Sequence, residues 1–477
     1  MIRATIGVWA NYATTAAFQI VFALRYGSGT EASVFVIVFG VAIGVGGVIT
    51  ASVQSVIVPR LLTPANRLVR PAVRLVGAFT LLAAAALLAL WLEADGVANV
   101  LAAHTHIPRT AIVQALRAAC PFIFLEVLSG ELIAINLAIG RRFAPAVAPA
   151  LPSVVAATPL ALAAPISVPT LFTILWVGAL AEVAFLVAAL AVGLRGRWRT
   201  VSGHLPHAGV IAFATAAQLI LLTLLPAFER VMASLHSPDG AAHYNYALRS
   251  LAVVQQLVIG GWLLSSLGDW SEFARANERR RFRASLLKTT ASATLLLVLA
   301  ASIAIVAGQK LVALVYEHGA FTSRDTRVVT SLILLALAGF CAEGIGLVLS
   351  QALLAHRRNG SAIGIGIFSF IVRVTLIVLL AHAWGVRGVA IAYSISAVAA
   401  LLLEILVVGA LALAARSDLA RLGRSALVAL GTLATAGACV LARPLLPSAA
   451  QAVLVLGSFA ALIVIVKPEI AMRFGHA

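Results

Sequence analysis

The chain has 477 residues, of which 62% are hydrophobic and 11% charged, with a formal charge of +17 and a mean hydropathy of +1.05. A soluble domain carries more charge on its surface, so this composition excludes a string of water-soluble globules. Nor does the positive excess read as nucleic-acid binding: the arginines cluster in short loops between apolar runs, where they orient the chain and meet anionic lipid.

Apolar runs long enough to cross about 30 Å of hydrocarbon recur along the whole chain. Fourteen spans are expected, near 4–24, 33–58, 71–93, 110–138, 144–164, 168–194, 208–234, 241–267, 287–307, 326–354, 361–381, 387–413, 424–443 and 449–466. They are expected to be helices, because an open strand would leave backbone groups unpaired in lipid and strict alternation is absent. The N-terminal run lacks a small-residue cleavage site and reads as a first helix that stays. Cys120, Cys341 and Cys439 all lie in apolar runs, with neither metal-ligand spacing nor a disulfide framework.

Placing the N-terminus inside puts 23 of the 34 Lys and Arg residues in inside loops and 7 in outside loops, the other 4 lying within spans. That asymmetry is the positive-inside signature and puts both termini in the cytoplasm. The stretch LAIGRRFAPA (137–146) aligns with LLAHRRNGSA (353–362) at an offset of 216, and the segments before them align at the same offset. An offset of six spans makes the copies parallel, a plan in which transporters hold substrate between two halves. The expected fold is therefore an all-α polytopic membrane protein. Residues 1–195 form an N-terminal lobe, 196–207 a cytoplasmic linker, 208–415 a C-terminal lobe and 416–477 a final helix pair.

The sequence lacks GxxxxGK[ST], HExxH, CxxC and GxSxG patterns, so no cofactor, metal or enzymatic activity is expected. His104 and His106 form the closest histidine pair and read as loop polarity rather than a zinc site. Ionisable residues at membrane depth are costly and tend to face a cavity or pair with one another. Here they are Arg117, Glu126, Glu131, Glu182, Glu229, Arg230, Arg249, Glu343, Arg373 and Glu404. Glu182 and Glu404 occupy similar places in spans 6 and 12. Arg249 lies about 13 Å into span 8 at 1.5 Å per residue. Arg373 lies near mid-depth in span 11, which holds no acid, and requires a partner from another helix or a ligand. A guanidinium fork suits phosphate oxygens.

Several segments together resemble a known family. LVALVYEHGAFTSRDTRVV (311–329) resembles the segment before the tenth helix of the MurJ/MviN-type lipid II flippases. FERVMASLHSPDGAAHYNYALRSL (228–251) is similar to that family's turn between helices 7 and 8, and SVQSVIVPRLL (52–62) to the end of its helix 2. By these motifs, the span count and the two six-helix halves, the chain is identified as a divergent member of that family. The family lies within the multidrug/oligosaccharidyl-lipid/polysaccharide exporter superfamily.

The resemblance implies a flippase of the bacterial inner membrane that exports an undecaprenyl-pyrophosphate-linked saccharide by alternating access. Its partners would be that substrate, membrane lipids and cell-wall or glycan synthesis proteins. Arg249 matches the family's cavity arginine, with Arg373 and Arg117 as further substrate-binding candidates. Some relatives bind sodium between helices 7 and 11. Glu229 resembles the acidic ligand there, while Arg373 stands where a neutral ligand is expected. Arg373 is thus expected either to replace the cation and pair with Glu229, or to bind phosphate. The family's arginines on helices 1 and 2, and the acid after helix 1, align on Tyr12, Phe18, Gly46 and Ser33. Two other functions stay open: a drug or cation exporter of the same superfamily, which would need an acidic cavity, and a non-transporting scaffold derived from a flippase.

Overall fold

The structure is a computed structural model. It describes residues 2–52, 68–103, 105, 107–139, 141, 143–162, 166–193, 200–201, 225–260, 266, 269–270, 272–274, 276–356, 358–411, 416–441 and 447–466. The described residues are almost entirely helical; the exception is a parallel pairing of β1 (Leu68–Val69) with β2 (Thr200–Val201). Helices α1 (Ile2–Tyr26), α2 (Thr30–Ser52), α3 (Arg70–Leu92) and α4 (Ala94–Ala103) are followed by the long α5 (Arg109–Ala138). Then come α6 (Phe143–Val147), α7 (Ala150–Leu162), α8 (Val168–Gly193) and α9 (225–233). Helix α10 (Gly240–Gln255) runs on into a π-helical turn, Gln256–Gly260. The chain closes with α11 (Arg279–Tyr316), α12 (Ser323–Ala355), α13 (Asn359–Trp384), α14 (Val386–Ala410), α15 (Arg416–Leu441) and α16 (Ser448–Val466).

This is the polytopic all-α architecture expected, with a helix at each expected span, the seventh being described only at 225–233. Eight of the described helical spans are by themselves long and apolar enough to cross a membrane. A ninth forms if the residues Val76–Leu92 and Ala94–Ala103, bent by 64°, make one span. Large side chains such as Leu81, Leu88, Leu402 and Leu406 are exposed on the helix surfaces. In water such a surface would drive association; in a bilayer it is the lipid-facing coat.

The chain divides into two compact units, residues 1–245 with 316–322, and residues 246–315 with 323–477. In the first, α5 packs against α8, α2, α3 and α4, and α7 packs against α8 and α1. Its core is aromatic: Phe18 and Phe22 of α1, Phe35 and Phe39 of α2, Phe122 of α5 and Phe172 of α8 form a continuous set of ring contacts, with Phe22 and Phe35 centred 4.7 Å apart. The end of α1 is clasped by the turn before α12, where the Ala320 amide donates to the Leu24 carbonyl at 2.9 Å. Gly27 (φ +56°) and Gly319 (φ +61°) make that clasp. Both have left-handed backbone, and a Cβ on either would collide with a facing carbonyl, of Ala320 and Leu24 respectively.

In the second unit α14 packs against both α12 and α13, and α15 packs against α16. The α15–α16 pair lies on α11 through Leu295, Val306, Val428, Ala436, Val455 and Phe459. Lipid tails are as apolar as these side chains, so close backbone approach is what holds such helices together. Gly339 accordingly meets Tyr393 and Ser394, Gly344 meets Leu297, and Gly346 meets the Glu404 carboxyl.

Candidate functional site

Arg249 sits in α10, nine residues after Gly240, and is half-buried. The helix changes to π geometry seven residues further on, at Gln256. A π turn widens a helix and is frequently found at functional sites. The sequence holds neither Gly nor Pro at the start of that turn, so apolar patterning alone did not signal it.

Glu229 and Arg230 lie on α9 and are 3% and 9% exposed. Arg230 donates to the Asn245 side-chain oxygen at 3.1 Å and approaches so closely that a Cβ on Gly40 of α2 would strike its guanidinium. Close by, Ser33 Oγ accepts from the Ala242 amide at 3.3 Å. These contacts tie the first half of α2 to α9 and to the start of α10.

Two of the positions where charged family residues align, Phe18 and Ser33, make packing and hydrogen-bond contacts. Phe18 is buried in the aromatic core against Phe22 and Phe35. Ser33 makes the bond just described. Arg25 acts on another helix, where its Nε and a terminal nitrogen donate to the Leu160 and Ala161 carbonyls, each at 2.7 Å. Those are carbonyls of the last turn of α7, which have no partner within their own helix and carry the negative end of its dipole.

Arg373 finds its partners on the neighbouring helix. Its Nε donates to Ser396 Oγ at 2.9 Å, and its guanidinium carbon lies 4.8 Å from the centre of the Tyr393 ring. The Tyr393 hydroxyl in turn donates to the Glu343 carboxyl at 2.5 Å. A cation, an aromatic face and a carboxylate thus form one chain across α13, α14 and α12, and the acid hydrogen-bonded to the phenol enriches the ring that the cation contacts. The sequence singled out both charges, but Tyr393 lies between them and was not signalled.

Arg117 pairs with Asp95 at 2.8 Å, and Arg109 shares the same carboxylate at 2.9 Å. Arg117 also lies over the Trp91 ring, 5.5 Å from its centre. All the charges of that triplet are about half exposed. Arg117 thus bridges the bend between α3 and α4 and the start of α5.

Two acids recur in equivalent settings. Ser129 of α5 donates to Glu182 of α8 in the first unit, and Ser350 of α12 donates to Glu404 of α14 in the second. The two pairs join corresponding spans of the proposed halves, the fourth to the sixth and the tenth to the twelfth. Glu131 accepts from Thr80 of α3. No group of three or more His, Cys, Asp and Glu able to hold a metal occurs among the described residues.

A lipid-facing coat over long apolar helices defines a multi-pass α-helical membrane protein. The sequence matches the family model described as MurJ, lipid II flippase MurJ, over residues 51–464, and the chain belongs to that family. Among solved structures it is similar to a lipid II flippase MurJ in an inward closed conformation, with a TM-score of 0.82, 16% identity and 98% of each chain covered. It is also similar to a multidrug resistance MATE family transporter of the MOP superfamily in an inward-facing conformation (TM-score 0.65, 13% identity, 89% of this chain and 98% of that one). A third likeness is to a MOP superfamily transporter from Pyrococcus furiosus (TM-score 0.59, 12% identity, 89% and 95% covered). No curated protein sequence matches.

Proposed function

We propose that this chain moves an undecaprenyl-pyrophosphate-linked saccharide outward across the inner membrane, by alternating access of two six-helix lobes, with both termini in the cytoplasm. The observation that carries the reading is Arg249: a guanidinium on a membrane-depth helix, at the family's cavity-arginine position, just before a π turn. Arg373 is a second candidate for the pyrophosphate, and the aromatic and hydroxyl contacts it makes would hold its fork in one orientation. A headgroup of about −2 leaving an inside-negative cell gains roughly 4–5 kcal/mol per 100 mV, so no ATP-hydrolysing domain is needed.

Complementation of a flippase-depleted strain tests the function. The wild-type gene is expected to restore growth. Arg249→Ala should abolish rescue while the protein still reaches the membrane, and Arg249→Lys should restore only part, because a point charge replaces a fork. Full rescue by Arg249→Ala would remove Arg249 from the substrate path. Failure of the wild type to rescue would point to a different lipid-linked glycan or to a scaffold.

A further inference from the structure

We propose that Glu182, together with Glu126 and Ser129, forms a proton-binding site inside the first unit, between α5 and α8. Glu182 lies fourteen residues into the 26-residue α8, near its middle, and is 2% exposed. One carboxyl oxygen accepts from Ser129; the other is sealed from solvent and has no hydrogen-bond partner among the described residues. Glu126 stands three residues before Ser129 on α5, so both face the same side of that helix. It is partly open, and it lies one helical turn from the serine that holds Glu182.

One basic group that reaches the surrounding helices is Arg230 of α9, whose guanidinium lies against Gly40 of α2 and donates to Asn245. The helices against α5 and α8 are α2, α3, α4, α6 and α7. Of their described side chains, α2 offers Glu31, α3 the exposed Arg74 and α4 Asp95, each near the start of its helix, and α6 and α7 offer no charge. On α5 itself, Arg109 and Arg117 are engaged with Asp95, Cys120 is uncharged, and Glu131 is bonded to Thr80. Arg117 is also nine residues from Glu126, about 13 Å along the helix.

Two ionised carboxylates facing each other at membrane depth are strongly unfavourable, and the cheapest neutralisation is a shared proton. A protonated Glu182 is neutral at its sealed oxygen, and Glu126, one turn from Ser129 and partly open to solvent, is the neighbouring acid with which the proton is exchanged. Two carboxyls and one hydroxyl are too few to replace the oxygen shell of a hard metal cation, whereas a proton needs a single acceptor. The matching Glu404 also has one sealed oxygen without a hydrogen-bond partner among the described residues, but the acid on its partner helix, Glu343, is bonded to Tyr393 and is not free to share a proton with it. The inference goes beyond the flippase reading. Its consequence for coupling, a proton exchanged each time the first lobe changes access, rests on that reading, but the binding site does not.

Infrared difference spectroscopy of the full chain in lipid nanodiscs, between acidic and alkaline buffer, tests it. The wild type should show a carboxylic-acid C=O band that disappears on raising the pH. Glu182→Gln should remove that band, and Glu126→Gln should leave a band whose midpoint moves by about one pH unit, through loss of the neighbouring charge. Ser129→Ala should keep the band and shift its frequency. A band untouched by Glu182→Gln, or a wild type with no such band, overturns the proposal. Folding of each variant is read from its elution profile in detergent. The spectrum needs no substrate, so it stands whether or not complementation succeeds.

Discussion

Replacing Arg373 with Gln should destabilise the second unit. The change removes a guanidinium lying 4.8 Å over the Tyr393 ring and a 2.9 Å bond to Ser396. A desolvated cation–π contact is worth about 2 kcal/mol, and a hydrogen bond to a charged group about 1.5–3 kcal/mol. Against these stands the relief of no longer holding a cation at membrane depth, which offsets part of the loss. Taking the net as about 2 kcal/mol, and about 2–4 °C per kcal/mol for a domain of this order of size, the apparent melting temperature in detergent should fall by roughly 4–8 °C. Arg373→Lys keeps the charge over the ring but loses the Nε bond, and should cost about half as much. Arg373→Gln combined with Tyr393→Leu should be less harmful than the sum of the singles by about 1–2 kcal/mol, because both remove the same contact. The pairing with Glu229 expected from sequence makes a different demand: Glu229→Gln added to Arg373→Gln should then recover stability. An Arg373→Gln protein as stable as wild type but inactive would refute the network and return Arg373 to the phosphate path.

The clasp at the end of α1 should not tolerate side chains. Gly27→Ala and Gly319→Ala each force a non-glycine residue into left-handed backbone at about 1–2 kcal/mol before any collision with the facing carbonyl. Gly77→Ala, which meets nothing within 4 Å, should be neutral in the same melting assay. For topology, a cysteine at Ser361 should be labelled only from the cytoplasmic side and one at Ser323 only from outside; outward labelling at Ser361 would overturn the orientation. His356 packs edge-on against Phe282, and burial, with Arg279 and Arg358 nearby, holds its pKa below the ordinary 6.5. The unfolded chain then binds a proton that the folded chain resists. Stability should therefore fall as pH drops below about 6.5, and this loss should be smaller in His356→Gln.

The sequence by itself determined what the bilayer demands. A span must be a run of about 20 apolar residues, and a loop held inside must carry arginine, so both can be counted along the chain. The family motifs at 228–251 and 311–329 were equally legible, because they are contiguous. The six-span offset that marks the repeat was visible through the Arg-Arg loops, and the membrane-depth charges could be named because each stands out against an apolar background.

What tertiary structure decided was the partner of each charge. Arg25 just past span 1 and Arg373 within span 11 both stand out as cations in sequence, but neither names its partner there: one caps the last turn of α7 and the other rests on Tyr393. Helix periodicity says which residues share a face; it does not say which other helix that face meets. The uncharged partners that complete these contacts — Tyr393, Ser396, Ser129, Thr80 — are ordinary helix residues in sequence and are set apart only by packing. The π turn after Arg249 is likewise a product of how α10 is held, since its residues carry no local signal for it. Close helix approach has the same origin: Gly339, Gly344 and Gly346 matter because Tyr393, Leu297 and Glu404 come to lie against them from elsewhere in the chain.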